Sequence, residues 1–76
     1  MVDADVTLDC TGLRCPLPIM KATKALKEMQ AGQTLKVVAT DPGSRRDFEG
    51  MCAKTGNSLL EASEDRGVYT YLIRKG

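Results

Sequence analysis

The chain has 76 residues, 42% of them hydrophobic and 28% charged, and carries a net charge of +1. This describes one small globular domain spanning 1–76, with a core of limited size and no global field to select a nucleic acid or an anionic membrane. Histidine is absent, which removes Cys–His and Ser–His nucleophiles and every His-containing metal site.

The N-terminal run Met1-Val2-Asp3-Ala4-Asp5 is acidic and has no apolar stretch, so no secretory signal is expected there. No segment approaches the roughly 18 apolar residues of a membrane span, and a cytoplasmic protein is expected. In that compartment the three cysteines, Cys10, Cys15 and Cys52, are not read as a disulfide framework.

Val6 to Cys10 alternates apolar and polar residues, which predicts a first strand with Val6, Leu8 and Cys10 on one face. Thr11-Gly12-Leu13-Arg14 leads into a helix. Ile19, Ala22, Leu26 and Met29 recur at helical spacing, so the helix runs to about Met29 with Gly32 as its C-terminal cap. Proline suits a helix's first position, but the residue before a proline resists helical geometry. With both Pro16 and Pro18 present, the helix begins at the Cys15–Pro16 step or as late as Pro18.

Thr34 to Thr40 is rich in β-branched residues and predicts a second strand, with Leu35, Val37 and Ala39 on one face. Asp41-Pro42-Gly43 breaks it. Ser44 then caps a second helix, with Asp47 completing a capping-box-like pair, and Phe48, Met51, Cys52 and Thr55 form its inward stripe. Gly56-Asn57 ends that helix; Ser58 to Glu64 and Val68 to Arg74 form an antiparallel hairpin across Asp65-Arg66-Gly67.

The order βαβαββ, with right-handed crossovers, places both helices on one face of a four-stranded mixed sheet. The expected fold is an α+β two-layer sandwich with strand four between strands two and three. The other sheet face is left uncovered, with some apolar residues, and is a candidate contact surface. The pattern of strand four is ambiguous, because Tyr69, Tyr71 and Ile73 alternate with Val68 and Leu72.

Cys15 falls at the mouth of the first helix in every one of these readings. Free N–H groups and the helix dipole favour negative charge there, and Arg14 adds a cation, so a thiolate is expected. Pro16 and Pro18 have no N–H, which leaves the Leu17 and Ile19 amides as candidates to stabilise that charge. Cys52 shares the core face of its helix, and Cys10 ends the first strand on its apolar side; packing is the favoured role of both. The sharper reading of Cys10 is a second, resolving thiol for Cys15, which requires Cα atoms within about 7 Å.

Lys21, Lys24 and Lys27 share a flank of the first helix, and Arg45 and Arg46 open the second. Such charges are usually a solvated face; the functional alternative is a basic rim around Cys15 that meets acidic partner surfaces. Met20 lies by helical angle among the lysines, which makes it an adaptable contact for partners. Asp41 and Pro42 are read as shaping the turn and Asp47 as a local cap, with Arg46 a candidate to hold an anion or a partner carboxylate.

With these residues placed, the chain resembles the TusA/SirA family of small sulfur-carrier proteins over nearly its full length. The resemblance rests on Leu8-Asp9, on Gly12-Leu13-Arg14-Cys15-Pro16-Leu17-Pro18, on Asp41-Pro42 and Arg46-Asp47, and on the ending Tyr71-Leu72-Ile73-Arg74-Lys75-Gly76. It implies a sandwich similar to the C-terminal domain of translation initiation factor three. It also implies that Cys15, supported by Arg14, Pro16, Leu17 and Pro18, accepts sulfane sulfur from a cysteine desulfurase or a rhodanese. The sulfur is held as a transient persulfide and passed to an acceptor protein, in tRNA thiolation, molybdenum-cofactor supply or sulfur oxidation. Cys10 departs from the family pattern, in which a small non-thiol residue is commoner.

The expected partners are therefore a sulfur-donor and a sulfur-acceptor protein, met by a monomer with no metal, no organic cofactor, no membrane and no direct nucleic-acid contact. Two alternatives stay open: a redox-sensing thiol protein using Cys10 and Cys15, and an RNA-binding module. The net charge of +1 and the scarcity of aromatic residues count against the second.

Overall fold

The elements follow the order β1 (Val6–Cys10), α1 (Leu17–Lys27), β2 (Thr34–Ala39), α2 (Ser44–Thr55), β3 (Ser58–Asp65) and β4 (Val68–Arg74). This is a computed structural model, and it describes residues 4–76; residues 1–3 of the acidic N-terminal run lie outside the described part. No helix among the described residues is long and apolar enough to cross a membrane.

The sheet order is β1-β2-β4-β3. β1 and β2 are parallel, and β4 is antiparallel to both of its neighbours, as expected from the sequence. Cys10 pairs with Ala39 and Leu35 with Ile73, so the register aligns the inward positions of adjacent strands. A β-bulge between Leu59 and Glu61 interrupts the β3–β4 ladder.

The core forms between one sheet face and the two helices. Cys10, Leu35, Val37, Ala39, Tyr71 and Ile73 supply the sheet side; Ala22, Leu26, Phe48, Met51 and Cys52 supply the helix side. The ambiguous pattern of β4 thus resolves with Tyr71 and Ile73 inward. Phe48 stacks on Tyr71 at 4.8 Å between ring centroids, adding aromatic contact to area burial. The Tyr71 hydroxyl meets Ser44 Oγ at 2.6 Å, which satisfies both buried groups. On the uncovered face Leu72 is nearly buried, flanked in register by Lys36 and Glu61.

Several local expectations change. α1 ends at Lys27 and is closed by Glu28 and Met29, whose N–H groups donate to the carbonyls of Ala25 and Leu26 respectively. Gly32 is not that cap; its positive φ of 91° serves the turn into β2, where its N–H donates to the Lys75 carbonyl. Ser44 does not cap α2, because its hydroxyl is taken by Tyr71; Gly43 is the N-cap and no side chain completes a capping box. Thr55 is exposed rather than inward, and its hydroxyl bonds back to the Met51 carbonyl.

Candidate functional site around Cys15

α1 begins at Leu17, so Cys15 lies just before its N-cap, Pro16. The Leu17 amide donates to the Arg14 carbonyl at 2.9 Å, closing a turn around Cys15 and Pro16. Pro18 is buried in the first helical turn. Its missing N–H costs nothing there, because first-turn donors have no intrahelical acceptor. Of the two amides expected to stabilise charge at this helix end, that of Leu17 is therefore engaged. The Ile19 amide has no acceptor among the described residues.

Cys15 is exposed, whereas Cys10 and Cys52 are buried free thiols. Burial pushes the thiols of Cys10 and Cys52 above their ordinary pKa. A thiol so placed is a packing group rather than a nucleophile. The structure thus places Cys10 in the core at the end of β1 and not at the surface beside Cys15.

Cys15 is tied to the β2–α2 turn. Its backbone N–H donates to Asp41 Oδ2 at 3.0 Å, while Asp41 Oδ1 accepts from Gly43 at 3.3 Å. The Asp41 carbonyl accepts from the Ser44 amide, so one residue holds both the cysteine loop and the start of α2. Asp47, one turn into α2, completes the cluster: the Cys15 sulfur and the carboxylates of Asp41 and Asp47 all lie within 4.8 Å of one another.

This arrangement reverses the expected electrostatics of Cys15. Hydrogen bonding to the Asp47 carboxylate raises the thiol's pKa above its ordinary value; desolvation and the negative charges of Asp47 and Asp41 act in the same direction. A carboxylate so close outweighs a helix end carrying about half an elementary charge. Arg14, adjacent in sequence, does not counter it. One thiol and two partly exposed carboxylates form neither the cysteine-rich set of a structural zinc site nor the all-oxygen set of calcium or magnesium. We assign no metal to them.

Cys15 stands on the ridge between two open hollows. One, of about 410 Å³, is lined by Cys15, Pro16 and Ile19 on one side and by Arg46, Asp47, Gly50, Met51, Lys54 and Thr55 of α2 on the other. The second, of about 580 Å³, lies over the β2–α2 turn and includes Arg45, Arg46 and Glu49. The basic groups beside Cys15 thus come from α2. Lys21 and Lys24 line neither hollow, and Lys21 exerts its charge on Asp9 and Cys10. Leu17 and Met20, in the first turns of α1 shortly after Cys15 in sequence, are 46% and 59% exposed.

Sequence reasoning placed Cys15 and Arg46 near one another only through a general basic rim. It missed Lys54, the place of core-facing Met51 beside Cys15 in the first hollow, and the approach of the two aspartates to the thiol. The available signal was periodic: Asp47, Gly50, Met51 and Lys54 recur at steps of three and four, one stripe of a helix.

Comparison with known proteins adds a family context. The family described as Sulfurtransferase TusA matches residues 6–75. A relative named sulfur carrier protein TusA, from Allochromatium vinosum, is 51% identical over 75 residues, covering 99% of each chain. A putative sulfur carrier protein of Neisseria meningitidis serogroup A is 56% identical over 68 residues, covering 90% of this chain and 92% of its own. Among solved structures, a SirA-like protein from Desulfitobacterium hafniense superposes with a TM-score of 0.83 at 33% identity, covering 93% of this chain and 97% of its own.

Proposed function

The chain belongs to the TusA sulfurtransferase family, and from that premise we propose that Cys15 accepts sulfane sulfur as a persulfide and relays it to an acceptor protein. One observation carries the residue assignment: of the three thiols, Cys15 is exposed while the other two are packed in the core. Its place on a ridge between two open hollows suits a thiol that must meet cysteines carried by other proteins.

In loading, the Cys15 sulfur attacks the outer sulfur of a donor persulfide. The donor's S–S bond breaks, a new S–S bond forms on Cys15, and the donor cysteine is released as a thiol. The exchange, Cys–SH plus donor–S–SH to Cys–S–SH plus donor–SH, is neutral in protons and electrons. Unloading is the same step with the acceptor's thiol as nucleophile and Cys15 as leaving group. The unengaged Ile19 amide is the candidate donor to the negative sulfur at this helix end. The donor class is a cysteine desulfurase or a rhodanese, and the acceptors belong to tRNA thiolation, molybdenum-cofactor supply or sulfur oxidation.

Partner contact is assigned to exposed Leu17 and Met20 and to Arg45, Arg46 and Lys54 around the hollows. The redox alternative loses support because Cys10 has no exposed surface. The RNA-binding alternative finds no stacking platform, since Phe48 and Tyr71 are in the core.

Intact-protein mass spectrometry after incubation with a cysteine desulfurase and cysteine tests the relay. One added sulfur atom, removed by reductant and absent in Cys15→Ser, is the expected result. No sulfur taken up from either a desulfurase or a rhodanese overturns it.

A further inference from the structure

The relay as described leaves Asp47 without a task, although its carboxylate stands within 4.8 Å of the reacting sulfur. We propose that Asp47 holds Cys15 as the protonated, quiet thiol between sulfur transfers, with Asp41 as a second negative charge and as the anchor of the cysteine loop. The proposal deepens the relay reading, because it takes Cys15 to be the thiol that exchanges sulfur.

The geometry separates the two carboxylates. Both oxygens of Asp41 are committed to backbone amides, those of Gly43 and Cys15. The Asp47 carboxylate takes no hydrogen bond from any backbone or side-chain N–H or O–H among the described residues, so its acceptors remain for the thiol and solvent. Neither carboxylate is in an ion pair among the described residues; the pair formed nearby is Arg45 with Glu49. The other charged groups lining the two hollows that share Cys15 are Arg45, Arg46, Glu49 and Lys54 on α2, and Arg14 precedes Cys15 in sequence. None of these cations neutralises Asp41 or Asp47 at ion-pair distance.

Deprotonating Cys15 sets a third negative charge within 4.8 Å of the two carboxylates and removes the S–H that can donate to Asp47. An exposed cysteine kept protonated reacts slowly with adventitious oxidants and alkylating agents. Sulfur transfer does not have to overcome this permanently. The proton leaving Cys15 is matched by one gained by the donor's cysteine as its S–S bond breaks, so the carboxylate only has to pass it on. Asp47 is thus a residue that sets the protonation of the nucleophile, and its signature is a pH profile.

The test is the rate of Cys15 alkylation by iodoacetamide across pH, read by intact mass for wild type, Asp47→Asn and Asp47→Ser, with Cys15→Ser as the blank. In wild type the profile should have its midpoint above that of a cysteine-containing peptide. Both Asp47 variants should shift the midpoint down and react about threefold faster near pH 7, because rate follows the thiolate fraction. A wild-type midpoint at or below the peptide's, or folded variants that react no faster than wild type, overturns the proposal. Alkylation needs no sulfur donor, so the two readings fail separately. Faster alkylation in Asp47→Asn with no sulfur uptake by wild type leaves this proposal standing and removes the relay.

Discussion

The backbone N–H of Cys15 donates to Asp41 Oδ2 at 3.0 Å, joining two loops that lie 26 residues apart in sequence. The contact fixes where the thiol stands relative to α2, and it uses a main-chain donor that any residue at position 15 would supply. Asp41→Ala should therefore free the cysteine loop and lower stability by about 1 kcal/mol, the usual net worth of one hydrogen bond. Asp41→Asn, which keeps an acceptor oxygen, should retain most of that stability. Amide hydrogen exchange checks this: protection of the Cys15 amide should fall in the alanine variant and persist in the asparagine one.

A buried polar pair sits at the centre of the core. Ser44→Ala leaves the Tyr71 hydroxyl without its partner, and Tyr71→Phe does the same to Ser44. Each should destabilise by about 1–3 kcal/mol, and the double variant by less than their sum, because an unsatisfied buried group is worse than none. Urea unfolding of the two singles and the double measures this coupling.

Burial raises the pKa of Tyr71 from its ordinary 10.0, opposed in part by the hydrogen bond with Ser44. The unfolded phenol therefore ionises first as pH rises. The stability tied to the neutral hydroxyl is complete below the unfolded pKa and is lost on the way up to the folded one. Wild type should lose more stability than Tyr71→Phe between pH 8 and about pH 11, as urea midpoints at the two pH values will show.

Arg66 and Gly67 join β3 to β4 with φ of 53° and 82°. Two consecutive positive values define the two-residue hairpin turn that matches strand twist and prefers Asn-Gly. Arg66→Asn should raise stability by about 0.5 kcal/mol and Gly67→Ala should lower it by about 1 kcal/mol. Thermal denaturation of the two variants distinguishes them.

Cys10 packs without exposure at the end of β1. Cys10→Ala should cost about 1 kcal/mol through the small cavity it leaves, yet load sulfur as wild type does. Loss of loading in a folded Cys10→Ala variant would reinstate a second working thiol.

Periodicity by itself determined the element order, the inward faces of β1 and β2, most of the stripe on each helix and the position of Cys15 ahead of α1. These are local properties, since alternation and three-to-four spacing follow from how each backbone repeats. The Cys-Pro-x-Pro run also carried the family, which the comparisons with relatives then showed. Only the tertiary structure decided the environment of the thiol. Asp41 and Asp47 read as turn and cap residues in sequence, where nothing within reach of them is a cysteine. The sheet brings the β2–α2 turn beside the end of β1, and the carboxylates of both aspartates then fall within 4.8 Å of the Cys15 sulfur. Ser44 shows the same effect: its cap chemistry was legible, but a buried tyrosine from a strand 27 residues away claimed the hydroxyl first. Local preference sets what each residue can do, and long-range packing selects which partner it does it with.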